Sequence, residues 1–321
     1  MHEADESTHI SETTSSELEL QPSGQALVPD LLAPGLYLVA TPIGNLEDIT
    51  LRALRVLRTA DRIACEDTRQ TQKLLNHFQI TTPTVSLHQH NERERAQQLL
   101  TSLTAGARIA VVSDAGMPGI SDPGGWLTQA AIAADVSVYP IPGANAALSG
   151  LVASGLAATD FHFLGFLPEK AGARRTRLEE LAKAIPGDSS TTLIFYEAPH
   201  RILDTLGDLE SVWGPSLRVV IARELTKLHE EFLRGSVAEV KATLAARDRV
   251  RGEITLLVEA IPLTKAQESG STSLLARLAE LEASEGLAEK DALKRIAREL
   301  GHSKSDLYRE LQRERAKKPG R

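Results

Sequence analysis

The sequence predicts an α/β protein with two sheet-containing halves and a small helical module toward its C-terminal end. Short apolar runs alternate with amphipathic stretches of helical length from about residue 35 to residue 262. The alternation breaks once, after "PGANAALSGLVASGLAATD", and then resumes. Beyond residue 272 only helical spacing remains. Strands that are apolar throughout and separated by helices indicate a mostly parallel sheet with both faces covered.

Residues 1–30 hold seven acidic residues, no Lys or Arg, and much Ser and Thr. Such a segment buries too little apolar surface to offset its ordering entropy, so a disordered acidic head is expected. In the first domain, 31–157, the strands are "LYLVA" (36–40), "RIACE" (62–66), "TVSLH" (84–88), "RIAVVS" (108–113) and "VSVYPIP" (136–142). Helical patterns at 46–59 and 91–103 lie between them. The second domain, 158–262, runs "FHFLGFLP" (161–168), a helix at 172–184, "TTLIFYEAP" (191–199), a helix at 200–212, "LRVVIARE" (217–224), "EEFLRG" (230–235), a helix at 236–246 and "GEITLLVEA" (252–260). The hairpin-like pair around 217–235 points to a mixed sheet. Residues 263–272 are a polar linker.

The module at 273–321 reads as helices at 273–283, 287–299 and 303–315. Gly301 would end one helix and Ser303 would start the next, as in a helix-turn-helix. From Lys290 to Arg321 there are eleven basic and five acidic residues. The whole chain carries 36 basic and 43 acidic residues, so residues 31–321 balance once the head is set aside. A neutral body with a basic tail implies that an anionic partner meets the tail, unless these charges are only a solvated helix face.

Composition excludes some classes. No apolar run approaches the ~18 residues of a membrane span, and the first thirty residues lack the basic start of a secretory leader. Cys65 is the single cysteine, which excludes an internal disulfide and suggests a reducing cytoplasm. It follows an apolar run and reads as a small buried residue rather than a nucleophile. His88 and His90 share a strand face but lack a third ligand at fitting spacing, so no metal is expected.

The most unusual stretch is "VVSDAGMPGISDPG" (111–124), at the carboxyl end of a strand, where open α/β sheets place ligands. Its glycines allow close main-chain approach and its prolines stiffen the loop. Asp114 stands at the strand tip. Asp122 is placed to cap the following helix, with Pro123 at its first position. Similar loops follow other strands, at "ATPIGNLEDIT" (40–50) and "IPGANAAL" (141–148). No two glycines lie two apart, and Gly125-Trp126 stands where a P-loop needs Lys-Ser/Thr. The common dinucleotide and triphosphate fingerprints are therefore absent. A small ligand with amine, carboxylate and adenosine groups fits these loops better.

"TPIGNLEDIT", "CEDTRQTQKLL", "SDAGMPGISDPG", "PGANAAL", "YEAPHRI" and "RELTKLHEE" occur in order at fitting spacing. Over about residues 35–262 they resemble the tetrapyrrole-methylase-like family of S-adenosylmethionine-dependent methyltransferases, and "CEDTRQT" and "YEAPHR" resemble its branch acting on ribosomal RNA. The resemblance implies two α/β/α domains with the cofactor in the cleft between them, in a homodimer. It implies S-adenosylmethionine as cofactor and methylation of a cytidine 2′-hydroxyl in the decoding region of 16S rRNA in the small ribosomal subunit. It places the cofactor on Asp114, Ala115, Gly116, Pro118, Ile120, Ser121 and Asp122, on Pro142, Gly143, Ala144, Asn145 and Ala146, and on Tyr196, Glu197, Ala198, Gly252 and Glu253. Pro42, Gly44 and Asn45 would face the substrate.

A ribose hydroxyl is a poor nucleophile, so a base or a stabilising cation should assist it. The candidates are Glu66, Asp67 and Arg69; Glu197 and His200; and Arg223, Glu224, Lys227, His229 and Glu230. A Lys227–Glu230 pair is the first choice, with Asp67 and Glu197 next. Arg69, His200 and Arg201 are candidates for holding substrate, the arginines through bidentate contacts. The same charges could instead form interdomain ion pairs. Two rival readings stay open: a small-molecule tetrapyrrole methylase, and a non-catalytic RNA-binding factor on the same fold.

Overall fold

The computed structural model describes residues 32–88, 92–186, 190–262, 278, 281–282, 287–299, 307–309 and 311–312. The expected acidic head and the linker at 263–272 lie outside them, as do Gly301 and Ser303.

The first sheet contains β1 (Gly35–Val39), β2 (Arg62–Cys65), β3 (Thr84–Ser86), β4 (Arg108–Val112) and β5 (Val138–Ile141), in the order β3-β2-β4-β1-β5. All its pairings are parallel. The strands are apolar throughout because both faces are covered. Tyr37, Val39, Ile63, Cys65, Ala110 and Val112 pack with α1 (Leu51–Thr59) and α2 (Thr68–His77). Leu36, Ala64, Ile109 and Val111 pack on the other face with α3 (Glu92–Thr104) and α4 (Gly125–Ala133). Cys65 is fully buried, and burial raises its thiol pKa.

The second sheet runs β6-β7-β10-β8-β9, from β6 (Phe161–Phe166), β7 (Thr191–Glu197), β8 (Arg218–Arg223), β9 (Glu231–Ser236) and β10 (Ile254–Ala260). Only β6–β7 is parallel; the other pairs are antiparallel, so the sheet is mixed. Residues of α6 (Ala171–Ala184), α7 (Ile202–Trp213) and α8 (Val237–Ala245) fill the core on one face. On the other lies α5 (Ala146–Ser154), whose Ala147 and Leu151 pack with Ile194, Val220, Ala222 and Leu257. So α5, on the first-domain side of the expected 157/158 division, lies against the second sheet. Gly150 eases this approach: a Cβ there would meet Thr255 Cγ2 at a tight 3.3 Å.

In the basic module, α9 (Glu289–Glu299) buries Ala292, Leu293, Ile296 and Ala297 with Leu278, Leu281, Leu307 and Leu311. No helix among the described residues is long and apolar enough to cross a membrane.

The start of α4 departs from expectation. Asp122 does not cap it. Gly124 is the N-cap, at φ +119°, with no side-chain cap of its own. The free amides of Gly124 and Trp126 donate instead to Glu92 Oε1 of α3, at 2.9 and 3.1 Å. An anion reaching across from a neighbouring helix satisfies the helix start and its dipole, which leaves Asp122 to face elsewhere. Glu92→Ala is expected to cost about 1–2 kcal/mol, as for lost caps in general, read as a lowered urea midpoint.

Candidate active site in the cleft between the sheets

A cavity of about 370 Å³ opens where the loops after β1, β4 and β5 meet the C-terminal end of β7 and the start of β10. Its first-sheet wall is Ile43, Ala115, Gly116, Met117, Ile120, Ser121, Asp122, Asn145 and Ala146. The opposite wall is Phe166, Tyr196, Glu197, Ala198, Pro199, Ala222, Leu225, Gly252, Glu253, Ile254 and Thr255. The loops are tied together. Thr41 and Gly116 exchange backbone hydrogen bonds of 2.9 and 3.0 Å, and Thr41 Oγ1 donates to Ser113 O at 3.1 Å. Gly116, at φ +85°, can make that turn because it lacks a Cβ.

Several expected cofactor residues support the wall from behind rather than line it. Asp114 Oδ1 accepts from the Asp67 amide at 3.2 Å, joining the loops after β2 and β4. A Cβ on Gly143 would lie 2.8 Å from Ala40 Cβ, so that turn is packed on the end of β1. Pro118, Pro142 and Ala144 are likewise absent from the lining. Asn145 both lines the cavity and caps α5, accepting from Leu148 N at 2.9 Å. Ile43, Phe166, Ala222 and Leu225 carried no sequence signal, because an apolar wall residue reads like any core residue.

The cavity is mostly apolar with an acidic side. Burial, helped by Glu66 and Asp114, pushes the Asp122 carboxyl up to about 6 against the pull of a Ser113 hydrogen bond. Burial also raises the Glu66 carboxyl, with Asp114 and Asp67 adding to it. The Tyr196 hydroxyl is raised by burial too, and by the charge of Asp122. Titratable groups perturbed by burial and by one another beside a cavity mark a candidate functional site.

Glu197 is fully committed to structure. Its side chain is wholly buried. One oxygen accepts from the Ala198 amide at 2.8 Å, and the other from Thr205 Oγ1 at 2.7 Å and an Arg201 terminal nitrogen at 3.3 Å. Arg201 Nε also sits 3.1 Å from Oε1, without the alignment of a hydrogen bond. Arg201 donates to Leu167 O at 2.8 Å as well, so it braces the turn after β7.

The expected Lys227–Glu230 side-chain pair does not form. Lys227 Nζ lies 2.8 Å from Glu224 Oε1 and 2.9 Å from Glu253 Oε2. Glu230 instead accepts from the Thr226 amide at 2.7 Å, closing its own tight turn. The reason is backbone shape: Glu224 and Thr226 both adopt left-handed angles, φ 53° and 66°, which swings Lys227 back toward β10. Partial burial acts to lower the Lys227 pKa, but the hydrogen bonds to Glu224 and Glu253 overcome it and leave it raised. The Lys227 hydrogen bond likewise lowers the Glu224 carboxyl.

Asp67 caps α2, accepting from Arg69 N at 2.8 Å. Arg69 lines a second, open concavity with Thr68, Gln72, Lys73, Asn76 and Thr84. Asn45 caps the 3-10 turn Leu46–Asp48. His200 is exposed, and Pro42 is half-buried. Gly44 abuts Lys227: a Cβ there would fall inside contact distance of Lys227 Cγ. His90 lies outside the described residues, among which no group of three or more His, Cys, Asp or Glu could hold a metal.

Residues 35–241 match the family described as Tetrapyrrole (Corrin/Porphyrin) Methylases. The chain belongs to the tetrapyrrole methylase family. Within that family it is 48% identical over 275 residues to ribosomal RNA small subunit methyltransferase I of Halalkalibacterium halodurans, covering 85% of this chain and 93% of the relative. It is 52% identical over 227 residues to the protein of that name from Vibrio cholerae, covering 70% and 77%. Among solved structures, the methyltransferase CobJ superposes with a TM-score of 0.52 at 20% identity, over 70% of this chain and 94% of that one. A uroporphyrin-III C-methyl transferase from Thermus thermophilus, complexed with S-adenyl homocysteine, gives 0.50 at 18% identity, over 70% and 98%. These structures establish the tetrapyrrole methylase fold for the chain.

Three outcomes are expected. Gly44→Ala displaces Lys227 and lowers turnover about tenfold or more, while the circular dichroism spectrum is unchanged. Glu197→Ala leaves Arg201 buried without its carboxylate and costs about 3–5 kcal/mol, read by urea unfolding. Asp122 binds its proton more readily folded than unfolded, so as pH falls from 7 toward 4.5 its protonation favours the folded state. Asp122→Asn removes the cost of the buried charge. It should raise stability at pH 7.5 by about 1 kcal/mol, allowing for solvent screening, and add nothing near pH 4.

Proposed function

We propose that this chain is an RNA methyltransferase that uses S-adenosylmethionine to methylate the 2′-hydroxyl of a cytidine in the decoding region of 16S rRNA, as a homodimer in the cytoplasm. The observation that carries this reading is the cavity itself. It is apolar over most of its wall, acidic on one side at Asp122, and bordered at Glu253 by a lysine held between two carboxylates. The residues fit the cofactor. Ile43, Met117, Ile120, Leu225 and Ile254 offer a dry surface for its adenosine and thioether carbons, and Asp122 offers a counter-charge for its cationic groups. When bound, S-adenosylmethionine supplies an electrophilic methyl group on a sulfonium.

The protein's own part is to align and activate the hydroxyl. Lys227 is a cation with a raised pKa, so it serves as an electrostatic partner rather than a base. Placed beside a ribose hydroxyl it lowers that group's pKa, and Glu224 or Glu253, each hydrogen-bonded to Nζ, is within reach to accept the proton. Glu230 holds the turn that presents Lys227, and Asp67 and Glu197 hold their own loops. Two left-handed non-glycine residues in one short turn are strain of the kind retained at working sites. The names of the curated relatives support an rRNA substrate, and the basic module at 273–321 suits a polyanion.

The test is methyl transfer from labelled S-adenosylmethionine to small ribosomal subunits lacking the modification, to naked 16S rRNA and to a precorrin, with nucleosides identified by mass spectrometry. A 2′-O-methylated cytidine is the expected product. Lys227→Met should lower the rate on the order of a hundredfold with cofactor affinity retained. Label in the precorrin alone would move the substrate to a tetrapyrrole. Cofactor binding with no transfer to any acceptor would leave a silent RNA-binding factor.

A further inference from the structure

Trp126 is 47% exposed, whereas the chain's second tryptophan, Trp213, is 1% exposed in the core of the second domain. A large aromatic half in water calls for a partner. Trp126 is also held in place. Its amide and that of Gly124 are both fixed by Glu92 Oε1. The guanidinium of Arg93, the next residue, stands 5.1 Å from its ring centroid. The ring is therefore carried on a rigid helix start, with a cation stacked against it. Because Glu92 already fills the helix start, this place is not an anion hole. What it offers is a flat π surface and a positive charge.

Its position relates it to the cavity. Trp126 lies four residues beyond Asp122, in the first turn of α4, the helix that follows the loop whose Ile120, Ser121 and Asp122 form the cavity wall. The same carboxyl edge of the sheet carries the start of α2 with Arg69 and Lys73, and the Asp67–Asp114 contact of 3.2 Å joins the two loops. A flat aromatic flanked by Arg, with further cations along one edge, is the chemistry that grips unpaired nucleobases: the π face stacks any base and the cations follow the backbone.

We propose that Trp126, clamped by Arg93, is a stacking platform for an unpaired base of the RNA substrate, next to the nucleotide that enters the cavity. This rests on the RNA reading above and names a contact for it. A platform beside the reactive nucleotide requires a single-stranded acceptor, since a base in a duplex is already stacked on both faces.

The pair of tryptophans provides the measurement. With Trp213 buried, quenching of the full-length chain's emission by added RNA reports on Trp126. Single-stranded RNA of about twelve nucleotides is titrated against the protein, with binding followed in parallel by the anisotropy of a label on the RNA. The expected result is quenching that tracks binding by the single strand and not by a duplex of the same length. Trp126→Ala should weaken single-strand binding about tenfold, and Trp126→Phe should retain most of it. The thermal midpoint and S-adenosylmethionine affinity of both variants should match the parent. RNA binding by anisotropy with Trp126 emission unmoved and Trp126→Ala unimpaired would overturn the platform and leave the RNA reading standing. No RNA binding by either signal would overturn both. A change in sedimentation on Trp126→Ala, with RNA affinity intact, would assign the ring to a contact between copies of the chain.

Discussion

The packing of α5 across from one sheet onto the other is the interaction on which the cleft depends. The helix leaves the last strand of the first sheet, yet its Ala147 and Leu151 sit with Ile43 against Ile194, Val220, Ala222 and Leu257 of the second. Its sequence, AALSGLVAS, is small enough to let the helix lie close, with Gly150 at the nearest approach. This apolar seam fixes how the loops of one half face the strands of the other. The cavity residues Ile43, Ala222 and Leu225 are simply the end of the same seam left open. Burial here sets both the stability of the pairing and the shape of the site.

The polar groups divide accordingly. Glu197, Asp67 and Asn145 spend their oxygens on groups close by in sequence, and Glu92 spends one on amides at the start of α4. They make the walls rigid. Asp122 and Lys227 are different. Asp122 is half-buried near other carboxyls, which is unfavourable for the free protein. Lys227 stands on a strained turn against Gly44 of the opposite half. Groups held at a cost, next to groups that hold them there, are what a preorganised site looks like.

Much of this was legible in the sequence. The strands of the first sheet were readable within about two residues because a doubly covered parallel strand is apolar at every position. The glycine- and proline-rich stretch after β4 stood out in the sequence because few tasks need so many special backbone residues, and it borders the cavity. What failed to show were decisions made at long range. The cap of α4 comes from Glu92, more than thirty residues upstream of Trp126, so the local pattern favoured Asp122. Lys227 chose Glu224 and Glu253 over Glu230 because of two left-handed backbone angles that no residue type announces. The allegiance of α5 was hidden because small residues fit either neighbour.

The place of β10 bears on how the molecule is assembled. Although last in the second sheet's sequence, it lies at its centre, between β7 and β8. As the chain is synthesised, the five strands of the first sheet are complete by residue 141, but the second sheet cannot join its two halves until residue 260 has emerged. Until then β7 and β8 have open edges, and α5 has only part of the surface it covers. The first half must therefore hold its shape alone for the time needed to make over a hundred further residues. The cleft is closed late, and a chain halted short of β10 has the loops of one wall but the pieces of the opposite wall, on β7 and β8, not yet joined.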